Sequence, residues 1–150
     1  MDKYSFQICQ KIVVFSKDHT KVLLCKRKGE QDLDGIFTFI GGKLEVSDDN
    51  LLAGLQREKN EEVSKDFHIK LCPTFSVNHE FTRKSGHKMF LPHYYAVHFK
   101  GEIQLNEEYS EYKWVALKDL DSFEPKVETI PAVVKELLQL RSVMKEFVVI

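Results

Sequence analysis

The spacing of apolar residues changes along the chain, and the changes mark its elements. Residues 6–15 are rich in Ile, Val and Phe, which predicts a β-strand. The turn-type stretch 16–20 follows, and Val22-Leu23-Leu24-Cys25 gives a second strand, so residues 6–27 read as a hairpin. Residues 26–35 are polar and loop-like, and residues 36–40 form a short third strand that runs straight into Gly41-Gly42. From Asn50 to Val63 the period becomes helical. Asp48, Asp49 and Asn50 supply N-cap candidates and negative charge for the positive end of the helix, and Leu51, Leu52 and Leu55 start an apolar stripe. Residues 67–82 and 88–100 alternate as strands, joined by a hairpin turn at 83–87. Residues 112–115 add another strand. Val133, Val134, Leu137, Leu138, Leu140 and Val143 fit an amphipathic helix with Pro131 in its first turn, and the apolar tail 147–150 suits an edge strand. The order β-β-β-α-β-β-β-α predicts a mixed α/β (α+β) sandwich rather than a doubly wound fold. With no repeat, linker or low-complexity segment, residues 1–150 read as one domain.

Composition narrows the function classes. The chain has 22 basic and 23 acidic residues and a formal net charge of −1, which gives no global reason to coat nucleic acid or an anionic membrane. No apolar run is long enough to span a bilayer, and residues 1–10 lack the apolar core of a signal peptide. Cys9, Cys25 and Cys72 are odd in number and form no C-x-x-C pair, so buried free thiols and a cytoplasmic setting are expected.

The balanced charge conceals a local cluster. Charge dominates the first helix from Arg57 onward, where a core-packing helix normally keeps its apolar stripe. Glu58, Glu61 and Glu62 are three and four apart, which puts three carboxylates on one helical face. Solvated Glu-rich faces are common, but this helix follows a strand, a Gly-Gly pair and an acidic loop. Like charges so placed repel, and a hard divalent cation with oxygen ligands removes the repulsion. Arg57 can pair with Glu61 one turn away, and Gly41-Gly42 lets backbone approach a ligand or metal closely.

The segment Phe39-Ile40-Gly41-Gly42-Lys43-Leu44-Glu45, followed by Arg57-Glu58 and Glu61-Glu62, resembles the Nudix box G-x5-E-x7-R-E-U-x-E-E-x-G-U, where U is a bulky apolar residue. The strand order extends the resemblance over nearly the whole chain. Between Gly42 and Arg57 lies one residue more than the pattern has, placed in the loop 46–49, because an insertion inside the helix would rotate the glutamates apart. Asp49 or Asp48 then stands at the first Glu. Lys59 replaces an apolar residue, Ser64-Lys65 replaces the terminal Gly and its neighbour, and Ile40 stands where Pro is frequent.

The resemblance implies a Nudix-type α/β/α sandwich around a central mixed sheet. It also implies Mg²⁺- or Mn²⁺-dependent cleavage of a pyrophosphate bond in a nucleoside diphosphate derivative or nucleoside triphosphate. Glu58, Glu62 and Glu61 resemble the metal ligands, with Glu58 also ordering or deprotonating water; Arg57 resembles the residue that orients the helix face, and Gly42 or Gly41 offers a carbonyl to the metal. Among the acids Glu107, Glu108 and Glu111 of the later loop, Glu108 is the favoured extra ligand. Arg27, Lys43, Glu80 and Phe81 are candidate substrate contacts. The implied partner is a small nucleotide, with neither membrane nor nucleic acid, and a homodimer is a candidate assembly. The departures from the pattern support a second reading: a catalytically weak nucleotide-binding or regulatory module on the same scaffold.

Overall fold

The structure, a computed structural model, describes residues 3–150, so Met1 and Asp2 of the N-terminal stretch lie outside the described residues. Nine strands and two α-helices follow the chain: β1 Gln7–Phe15, β2 Lys21–Arg27, β3 Phe37–Thr38, β4 Ile40–Lys43, α1 Leu51–Val63, β5 His68–Leu71, β6 Val77–Thr82, β7 Lys88–Lys100, β8 Tyr109–Ala116, α2 Ile130–Leu140 and β9 Val148–Val149. The strands form a mixed sheet in which β1 pairs antiparallel with β2 and β4 and parallel with β7. Alternation along β1 builds two cores. Ile12 and Val14 pack with Leu55 and Val63 of α1, while Val13 and Phe15 pack with Val133 and Leu137 of α2. The result is the expected sandwich, with a helix on each face of a central sheet. No described helix is long and apolar enough to cross a membrane.

Three elements differ from the sequence expectation. The short strand at 36–40 is two strands, and Gly41 and Gly42 lie inside the second rather than after it. Residues 67–82 are also two strands, β5 and β6, with Pro73 in the interruption, where its missing N–H removes a ladder donor. The last strand before α2 begins earlier than expected, at Tyr109. The tail does form an edge strand, β9 on β5.

The charged half of α1 is packed rather than solvated. Glu58, Lys59 and Glu62 are all buried, and Asn50 caps the helix by accepting from Ala53 N at 2.8 Å. Lys59 is 1% exposed and donates to the Ser64 carbonyl at 3.2 Å, so the residue at an expected apolar position closes the helix end. Ser64 itself has φ of 116°, a conformation that favours glycine, which explains why the motif has Gly there. Replacing Ser64 by glycine is expected to stabilise the protein by about 1 kcal/mol, the relieved strain exceeding the added chain entropy and the lost bond from Asp66 N. A urea midpoint that falls in this variant would show that the serine is not strained.

A second stability feature lies on the opposite face of the sheet. His93 is buried, and its Nδ1 lies 3.0 Å from the Val77 carbonyl, which assigns the proton to Nδ1. Burial pushes its pKa down to about 4, against the upward pull of that carbonyl bond. The folded value is therefore below the unfolded one, so the contribution is present above pH 6.5 and is lost as pH falls from 6.5 through 4. At full effect this amounts to about 3 kcal/mol. His93→Asn, which keeps a donor but does not titrate, should flatten this part of the stability curve. Parallel acid limbs for the two proteins would exclude His93 as the source.

Candidate active site

α1 and β4 meet at a cavity of about 360 Å³ whose lining includes Gly41, Gly42, Glu58, Glu62 and Glu108. Leu33, Phe81, Met89 and Leu91 add apolar lining, and Glu30 and Arg83 add further charge. Helical spacing puts Glu58 and Glu62 one turn apart on the face toward β4. Glu62 is 1% exposed, and its Oε1 accepts from Gly41 N and from the Tyr109 hydroxyl, each at 2.8 Å. Glu58 is 8% exposed, and its Oε1 accepts from Arg57 Nη1 at 2.9 Å. A side chain on Gly42 would overlap the Glu58 carboxylate, so the missing Cβ is what lets this acid lie against the strand. Gly41 has φ of 132°, and a Cβ there would run into the Gln10 carbonyl; this glycine is required by the backbone itself.

Arg57 fixes the outer edge of the site. Its Nε and Nη2 bind the two Asp48 oxygens at 2.7 and 2.9 Å, and Nη2 also donates to the Lys43 carbonyl at 3.1 Å. This fork-on-carboxylate pair holds the guanidinium flat against the loop. Asp48, not Asp49, thus takes the place opposite Arg57. The hydrogen bonds from Arg57 and from Glu45 N hold the Asp48 carboxyl down at about 2. Glu61 lies outside the cavity, half-exposed, with Arg57 at 3.4 Å.

Burial outweighs the counter-charge that reaches the two acids. Burial raises the pKa of Glu58 against the opposing pull of Arg57, with Glu61 and Glu108 adding to the rise. Burial also raises Glu62, against Lys11 and the Gly41 amide, and a hydrogen bond with Glu108 adds to the rise. A cation supplied beside them would relieve both. The donors are oxygen only, from the Glu58, Glu62 and Glu108 carboxylates and the Gly42 carbonyl, and this set suits a hard divalent ion. Among the described residues, no three His, Cys, Asp or Glu side chains already form a metal-holding group.

The sequence-predicted residues divide accordingly. Gly42, Lys43, Glu58, Glu62, Glu108, Arg27 and Phe81 line the cavity, whereas Glu61 and Arg57 stand at its edge. Strand alternation on β6 turns Glu80 away from the face carrying Phe81, and it does not line the cavity. Glu111 is drawn off as well, pairing with Lys26 at 3.7 Å. Arg27 has a buried Nε with no hydrogen-bond partner among the described residues, 3.8 Å from Glu30. Sequence reasoning missed Tyr109 and Lys11. The alternation of β8 was a signal for Tyr109, since it places that side chain inward at the loop-to-strand junction.

The family model described as NUDIX domain matches residues 8–137. No curated protein matches the chain. Among solved structures, the MutT protein from Methanosarcina mazei Go1 superposes with a TM-score of 0.74 at 19% identity, covering 94% of this chain and 99% of that one. An Ap4A hydrolase from C. elegans, in a binary complex, gives 0.74 at 15% identity over 92% and 99%. The NUDIX domain of Shewanella oneidensis NrtR, complexed with ADP ribose, gives 0.68 at 20% identity over 95% and 93%. At these identities the likeness is one of fold.

Proposed function

The chain belongs to the NUDIX family, and on that premise we propose that it is a hydrolase that uses Mg²⁺ or Mn²⁺ to cleave the pyrophosphate bond of a nucleotide derivative or nucleoside triphosphate. The observation that carries this reading is the pair Glu58 and Glu62, buried one turn apart beneath Gly41-Gly42 at the floor of the cavity. A helix needing only stability has no use for two adjacent buried acids whose burial outweighs the pull of Arg57 and Lys11.

Glu58, Glu62, Glu108 and the Gly42 carbonyl would hold the cation. When bound, it supplies charge neutralisation on the phosphate oxygens and a lowered pKa for attacking water. The chain's own residues do the rest. Arg57 holds the Glu58 carboxylate by one bond while anchoring itself on Asp48 and the Lys43 carbonyl, so the acid is oriented before substrate arrives. Gly41 N and Tyr109 tie one oxygen of Glu62 and leave the other to the site. Glu58, raised by burial, is the group that takes a proton from water. Arg27 lines the cavity and brings a positive charge toward a phosphate there. The apolar lining residues take the organic moiety, Phe81 presenting a ring for stacking.

The names of similar structures support the substrate class: one is an Ap4A hydrolase and another is complexed with ADP ribose. Purified protein with Mg²⁺ should hydrolyse some member of a panel of nucleoside triphosphates, nucleotide sugars and dinucleoside polyphosphates, releasing two phosphorylated products. Binding of nucleotides without turnover of any would favour the binding-module reading instead.

A further inference from the structure

Two departures from the family motif, Lys59 and Lys65, meet at a place that pyrophosphate hydrolysis does not use. A second cavity, of about 450 Å³, lies between α1 and the neighbouring strands β5, β7 and β9. Gln56, Lys59 and Asn60 line it from α1, sharing one helical face at i, i+3 and i+4. Gln56 and Asn60 each precede Glu58 and Glu62 by two residues, about 200° around the helix, so this is not the face that meets β4. Lys65 follows the helix, and His68 and Lys100 come from paired positions of β5 and β7. The lining thus holds three lysines and a histidine but no Asp or Glu, in a chain with one acid more than it has bases.

Among the described residues, Lys59, Lys65, His68 and Lys100 form no ion pair. Lys59 is 1% exposed, and its ammonium gives one of its three donors to the Ser64 carbonyl. The negative groups that face the cluster are the exposed Asp66, whose charge reaches Lys59, and the main-chain carboxyl of Ile150, which accepts from Ile69 N at 3.0 Å. Cations gathered around one cavity repel, and a buried ammonium is the least tolerant of them. A compact anion with several charged oxygens relieves both, accepting from the lysines and from the amide groups of Gln56 and Asn60. Phe99 is the one Phe, Tyr or Trp in the lining, and its ring is already met by two ammonium groups, Lys70 at 4.9 Å and Lys100 at 5.9 Å from the centroid. Nothing there is built to stack a base. We propose that this cavity is a second binding site, apart from the one at Glu58 and Glu62, and that it takes a free oligophosphate anion.

Calorimetry with tripolyphosphate tests this, run in excess chelator so that no metal bridges the anion to the acids of the first cavity. The wild type should bind one tripolyphosphate ion with a Kd of about 1 mM or tighter, and should melt at a higher temperature in its presence. The double variant Lys65→Ser/Lys100→Ser removes two exposed side chains, so the fold survives, and should bind about 10-fold or more weakly. Lys84→Ser/Lys88→Ser removes the same charge at the other end of β7, beside the β6–β7 turn, and should bind as the wild type does. ATP in chelator should bind no more tightly than tripolyphosphate. A wild type that does not bind overturns the inference. So do equal losses in the two double variants, as diffuse attraction to net charge would give, and so does ATP binding more tightly than tripolyphosphate. No turnover enters these measurements, so they read the second site whether or not the first one hydrolyses a nucleotide.

Discussion

Glu58→Gln is expected to lower turnover by about 10²–10⁴-fold, the range for loss of a positioned general base. The substitution keeps the side-chain volume and leaves an oxygen to accept from Arg57 Nη1, so the packing of α1 against β4 survives. What disappears is the negative charge and the ability to take a proton. That charge is held in place against burial, which raises Glu58, by Arg57 and its anchors on Asp48 and Lys43. The loss should fall on kcat with KM little changed, because the acid acts on water and cation rather than on the organic moiety. Steady-state kinetics beside thermal melting checks this. Undiminished turnover in a folded variant would remove Glu58 from the mechanism.

The same acid should be sensitive to its neighbour. Gly42→Ala is expected to cost about 10²-fold in turnover, the scale for an ångström of misplacement at a reacting centre. The backbone at Gly42 is not in the left-handed region, so alanine fits the strand. Its methyl overlaps the Glu58 carboxylate, and the flexible side chain moves rather than the sheet. Melting should therefore change little while activity falls. Gly41→Ala is the contrast: there φ is 132° and the methyl meets the Gln10 carbonyl, so the expected loss is of the fold. Full activity in Gly42→Ala would mean that Glu58 works from a position other than the one against this strand.

Local signals made part of this site legible in the sequence. The i, i+3 and i+4 spacing of Glu58, Glu61 and Glu62 is a property of one helix, and the Asn50 cap fixes where that helix starts. The hairpin of β1 and β2 and the amphipathic α2 follow from periodicity over neighbouring residues. What escaped depends on distant pairing. Whether Glu61 or Glu58 points into the cavity is set by the contact of α1 with β4, and spacing alone cannot distinguish them. Glu80 and Phe81 are adjacent, and only the register of β6 on β7 decides which faces inward. No sequence signal singled out Lys11, whose place beside the cavity depends on the parallel pairing of β1 with β7, some 80 residues away by the Lys11–His93 register. Ser64 is the reverse case: the departure from the motif was visible, and the positive φ supplied its physical meaning.

The central claim is that the buried carboxylates at the Gly41-Gly42 floor work through a divalent cation on a nucleotide pyrophosphate bond. It is tested most directly by following hydrolysis of the best panel substrate as metal is removed with a chelator and Mg²⁺ or Mn²⁺ is then added back. Turnover should vanish with the metal and return on its addition, and Glu58→Gln should stay slow throughout. Turnover that persists unchanged in excess chelator would contradict the account.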